Sequence, residues 1–133
     1  MALTYLYIAI GSAVGGMARF WLSTLVAGGA PEAFPWGTII VNITGSFLIG
    51  FFASVTGPDV RVNVSENLRL FLMVGICGGY TTFSSFSLQT LLLARDGEMA
   101  RASGNVAISV VACLAAVWLG YAVGTMLNRA KDA

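Results

Sequence analysis

Four predominantly apolar stretches, each near the length needed to cross a lipid bilayer, constrain this chain more than any other feature. A bilayer core is about 30 Å thick and takes roughly 20 helical residues to span. The stretches at about 3–26, 38–55, 68–94 and 102–127 meet that length and leave only short polar connections between them. Of the 133 residues, 57% are hydrophobic and 10% charged. A chain this small cannot bury most of its surface, so in water it would present large apolar patches. The expected fold is therefore an all-α membrane protein, one domain over residues 1–133. The first stretch has no positively charged residue ahead of it and is too long for a signal-peptide core, so it is expected to stay in the mature protein.

The connections carry recognisable punctuation. Pro31 and Pro35 break the chain after the first span, Pro35 suits a first helical turn, and Trp36 suits the membrane interface. Thr56-Gly57-Pro58 closes the second span. Ser65 is placed to cap the third, after the longest loop at 59–67. Arg95-Asp96-Gly97-Glu98 reads as a tight polar hairpin, and 128–133 as a polar tail. With the N-terminus inside, the inner side would hold Arg61, Arg69, Arg129 and Lys131, and the outer side Arg95 and Arg101. So small a bias orients a chain weakly, and four thin helices enclose little interior. A homodimer, with antiparallel copies admissible, is the expected assembly.

The charged residues exclude several chemistries. There is no histidine, hence no His metal site, proton relay or Ser-His-Asp catalysis. Every acid, Glu32, Asp59, Glu66, Asp96, Glu98 and Asp132, lies outside the spans, which removes the intramembrane carboxylate that proton-coupled transporters commonly need. The single lysine, Lys131, is in the tail, so a Ser-Lys pair fails too. No phosphate-binding loop motif is present, and an enzyme is not expected. Cys77 and Cys113 sit in apolar runs and read as small buried hydrophobes.

Polar residues inside the spans are neutral and regularly spaced. Thr38, Asn42 and Ser46 are four apart and share one helical face, and Asn105 and Ser109 repeat that spacing. An asparagine in lipid is costly unless partnered. Helix-to-helix adhesion and a polar pathway are both open readings for these stripes. The run at 75–87, GICGGYTTFSSFS, is the least helix-friendly part of any span, because paired glycines and paired threonines are weak helix formers. A break there would free backbone carbonyls that suit a hard cation, and would create a half-helix N-terminus that suits an anion. The plainer alternative is a glycine packing notch, the reading given to Gly11–Gly15 and Gly120–Gly124.

Phe83 and Phe86, three apart, share a face with Ser84 and Ser87 alongside. Ordinary packing is the default for such rings, but their electropositive edges can also favour an anion. A pore for a small hydrated anion needs weak, repeated contacts of this kind. Arg19, the one charge well inside a span, either snorkels to an interface or makes a positive mouth, and the second reading fits the absence of any acid to pair with it.

The run GICGGYTTFSSFS, with GGMARF in the first span and WGTIIVNITGSFLIG in the second, closely resembles the CrcB/Fluc fluoride channels over nearly the whole chain. The resemblance implies a dual-topology antiparallel homodimer in the bacterial inner membrane, with two fluoride pores and a central structural Na⁺. It further implies passive export of F⁻ down its gradient and fluoride resistance. By motif position Phe83 and Phe86 would be the pore rings and Asn42 the pore asparagine. Thr38, Ser84 and Ser109 would supply hydroxyls along the path, and Arg19 matches the family's first-span arginine. Backbone carbonyls of Gly78 and Thr81 would hold the Na⁺. Two departures stand out: Asn105 where many relatives carry tyrosine, and Tyr80 where an aliphatic residue is usual. A small multidrug-type exporter would need a glutamate in the first span, which holds Arg19 and no acid. A purely structural subunit would leave Asn42 and the hydroxyl run without a task.

Overall fold

A computed structural model describes residues 1–28, 33–57 and 64–130. The expected roles of Pro31, Pro58, Arg61 and Lys131 fall outside the described residues. All of the regular structure in the described residues is helical, and four stretches are long and apolar enough to cross a membrane. Helix α1 is Ala2–Ala27 and α2 is Trp36–Val55. The third stretch starts as Glu66–Leu70, widens into a π-helical segment at Phe71–Cys77 and tightens again at Gly78–Tyr80, together called α3. Two extended residues follow, and α4 (Phe83–Arg95) completes the span. Helix α5 is Met99–Ala130.

Helix ends follow local chemistry. Gly28 closes α1 in the left-handed conformation (φ 61°), with its N–H returned to the Leu25 carbonyl, a geometry that glycine adopts without strain. Pro35 stands one residue before α2 instead of inside its first turn. The Ser65 side chain accepts the Leu68 N–H and caps α3. Gly97, at φ 82°, turns the short hairpin between α4 and α5.

Backbone contact holds the bundle together more than side-chain volume does. Helix α1 lies along α3, and α2 along α5. Gly11 and Gly75 face each other across the first pair, and a Cβ added at Gly11 would stand 2.9 Å from the Gly75 Cα. At Gly15 it would overlap the Ile76 carbonyl oxygen, and at Gly120 the Phe47 carbonyl oxygen. Gly11, Gly15, Gly120 and Gly124 are therefore packing notches, as their spacing suggests. In lipid, where apolar side chains gain little by leaving the solvent, close backbone approach is the available source of contact energy. The fully buried core is correspondingly small: its largest side chains are Ile39, Val41, Asn105 and Cys77. Large apolar side chains, Trp21, Trp36 and Trp118 among them, point outward.

Candidate functional site

The break in the third span is made by the threonines, while the glycines before it stay helical. Gly78 has φ −65° and ψ −38°, and Gly79 is held against α1, where an added Cβ would come 2.6 Å from the Ser12 carbonyl oxygen. Thr81 (φ −79°, ψ 157°) and Thr82 (φ −150°, ψ 106°) are extended. Their hydroxyls offer the backbone a substitute for helical bonding. The Thr81 hydroxyl donates to the Cys77 carbonyl at 2.9 Å. The Thr82 hydroxyl accepts the Ser85 N–H at 3.2 Å and so caps α4.

Asn42, on α2, clamps the extended segment. The Thr82 N–H donates to Asn42 Oδ1 at 2.8 Å, and Asn42 Nδ2 donates to the Thr82 carbonyl at 3.1 Å. One amide thus replaces both helical partners that Thr82 has given up. The carbonyls of Gly78, Gly79, Tyr80 and Thr81 lose their usual helical donors by the same event. In an unbroken helix Gly78 would receive the Thr82 N–H and Thr81 the Ser85 N–H, but those groups are directed to Asn42 and to the Thr82 hydroxyl.

Beside the break lies an open hollow of about 380 Å³. Asn42 and Ser46 of α2, the two threonines, and Phe83 and Phe86 of α4 form part of its wall, with Ser109 and Cys113 of α5 opposite. The two rings stand 5.3 Å apart and tilted at 50°, an arrangement that leaves edges available instead of stacking faces. Phe86 is buried, whereas Phe83 is 78% exposed on the chain's outer surface.

Of the residues singled out in the sequence, the fold therefore brings Asn42, Phe83, Phe86, Ser109 and Thr81 together. Thr38 is buried one turn before Asn42 and does not line the hollow. Ser84 is exposed in the first turn of α4, its Oγ 3.3 Å from the Thr82 Oγ1. Arg19 is half-buried on α1, away from the hollow, and pairs with no carboxylate among the described residues. Gly78 is exposed beside the break. Cys113 is a lining residue that its apolar surroundings concealed; its position four residues after Ser109 carries the only signal.

Both departures from the resemblance have structural counterparts. Tyr80 is buried, its hydroxyl 2.8 Å from the Thr44 Oγ1, and Gly45 leaves room for its ring, where a Cβ would come 3.0 Å from Cδ1. Asn105 is fully buried and bonded to Thr90 and Ser109.

A family model described as "CrcB-like protein, Camphor Resistance (CrcB)" matches residues 6–121. The chain belongs to the CrcB family. It is 60% identical over 129 residues to the "Fluoride-specific ion channel FluC" of Methylocella silvestris, covering 97% of this chain and 98% of that protein. It is 55% identical to the protein of the same name from Rhodospirillum rubrum, covering 96% and 98%, and 58% identical to that of Opitutus terrae, covering 96% of each. These CrcB relatives are named as channels and not as enzymes.

Proposed function

We propose that this protein is a fluoride-selective passive channel that lets F⁻ leave the cytoplasm of a bacterial cell down its electrochemical gradient and so confers fluoride resistance. The observation that carries the reading is the hollow at the start of α4, where a clamped asparagine, two tilted rings and a hydroxyl converge without any charge. Such a lining suits a small anion that must leave as readily as it enters. The N-terminus of α4, thirteen residues long, adds the positive end of a helix dipole. Relatives that align over nearly the whole length carry fluoride in their names. Apart from Glu66, the first residue of α3, no acid lies in a span, so proton coupling has no carrier near the hollow and passive flow remains.

In this reading two antiparallel copies form a dual-topology homodimer in the inner membrane. The weak lysine and arginine bias and the outward Phe83 ring, which a second copy would cover, support it. By the family resemblance Gly78 and Thr81 would hold a structural Na⁺ through their carbonyls, and both are among the groups whose helical donors are lost at the break. A hard cation there would satisfy them and tie the break to the dimer. Thr38 and Ser84 would supply further hydroxyls along the path, and Arg19 would make a positive mouth that attracts anions.

Efflux from proteoliposomes, followed with fluoride and chloride electrodes on one preparation, tests the proposal. Fast, valinomycin-dependent fluoride release with little chloride release is expected. Equal release of both ions, or no fluoride release from folded protein, would overturn it.

A further inference from the structure

Behind the hollow runs a chain of hydrogen bonds that the proposed function does not use. Ser109 Oγ is 3.3 Å from Asn105 Oδ1, Asn105 Nδ2 is 2.8 Å from Thr90 Oγ1, and Thr90 Oγ1 is 2.8 Å from the Phe86 carbonyl oxygen. The chain begins and ends on residues that line the hollow, Ser109 and Phe86. Its middle member, Asn105, is only 1% exposed.

The direction of every bond is fixed from one end. A backbone carbonyl can only accept, so the Thr90 hydroxyl donates to Phe86 and must accept from its other neighbour. That neighbour therefore presents its amide N–H₂ to Thr90, which turns Asn105 Oδ1 toward Ser109. The Ser109 hydroxyl has one proton, and it is drawn to Oδ1, away from the hollow. At 3.3 Å this bond is long for an O–H···O contact, whose usual length is about 2.7–2.8 Å, and is correspondingly easy to release.

We propose that Asn105 is a positioning residue for anion passage: it holds the Ser109 proton turned away from the empty path and yields it to a passing anion. The inference rests on the channel reading above. When an anion arrives, the hydroxyl rotates and donates to it; when the anion leaves, the proton returns to Oδ1. Neither state leaves the hydroxyl proton without an acceptor, the condition that would otherwise make a serine at this depth either costly or sticky. Asn105 competes with the anion for one proton, so it weakens binding and speeds release.

The test is fluoride flux at stepped internal fluoride, giving half-saturating concentration and maximal rate separately, for wild type, Asn105→Ala, Ser109→Ala and the double variant. Removing the competitor should lower half-saturating fluoride roughly twofold, the equilibrium weight of a hydrogen bond at the weak end of the usual range, and lower the maximal rate. Both shifts should vanish in the Ser109→Ala background. Thr90→Val, which unlocks the Asn105 amide without removing it, should shift half-saturation in the same direction by less, and Thr90→Ser should restore the wild-type value; this pair decides the matter if Asn105→Ala does not fold. An unchanged half-saturation in Asn105→Ala, or a shift that persists without the Ser109 hydroxyl, would overturn the inference while wild-type flux still stood. Absence of fluoride flux in the wild type would instead overturn the channel reading on which it depends.

Discussion

The two halves of the third span are built on opposite principles. Helix α3 is sealed: its backbone lies directly on α1 through Gly11, Gly15, Gly75 and Gly79, and Cys77 is almost wholly buried. Helix α4 has no such glycine contacts among the described residues. It is placed by side-chain bonds, the Thr82 cap at one end and Thr90 to Asn105 further along, and it leaves a hollow beside it. The two threonines at the junction let one membrane span be an anchor for half its length and a wall of an open hollow for the other half.

The largest effect should come from breaking the seal. Gly15→Ala places a methyl group onto the Ile76 carbonyl oxygen and within 2.8 Å of the Tyr80 nitrogen. Backbone cannot move aside as a side-chain tip can, so a loss of about 3 kcal/mol or more is expected, read as loss of folded protein by size-exclusion chromatography. Gly16→Ala, whose methyl meets nothing within 4 Å, is the control and should fold normally.

Asn42→Ala strikes the junction. Each of the two Thr82 backbone groups left without its partner costs about 1–3 kcal/mol, so the thermal midpoint should fall. Fluoride flux should drop roughly tenfold or more, the kinetic weight of about 1.4 kcal/mol. Normal flux with a lowered midpoint would make Asn42 a structural clamp alone.

Sequence reasoning reached the sealed half more easily than the open one. The spans are legible because lipid thickness fixes their length, and the notches because four-residue glycine spacing puts them on one face. That the GGYTT run contains a break is visible too, but its location is not. Gly78 and Gly79 look like the weak point, yet Gly79 is committed to Ser12 on α1, and that contact is not encoded locally. The bond from Asn42 to Thr82 joins residues 40 apart, and the π-helical segment leaves no periodic signature. Cys113 is hidden because a cysteine in an apolar run reads like alanine; only its register with Asn105 and Ser109 places it on the wall. Arg19 shows the converse, a conspicuous charge that the fold keeps away from the hollow.

Smaller effects separate the two rings. Phe86→Ile should reduce fluoride flux and also cost about 1 kcal/mol of stability, since this ring is buried and the swap leaves its site imperfectly filled. Phe83→Ile should reduce flux with no stability loss in the detergent-separated chain, because Phe83 is exposed there. Unchanged flux in both variants would remove the ring-edge argument.

The two cysteines give the most direct test of the claim that the hollow is the ion path, because Cys77 lies in the sealed half and Cys113 on the wall of the open one. Fluoride efflux should be measured before and after treatment with methyl methanethiosulfonate, in wild type, Cys77→Ala and Cys113→Ser. Inhibition of the first two with Cys113→Ser resistant is the result this account predicts. Full flux through wild-type protein labelled at Cys113, or inhibition that survives Cys113→Ser, would contradict it.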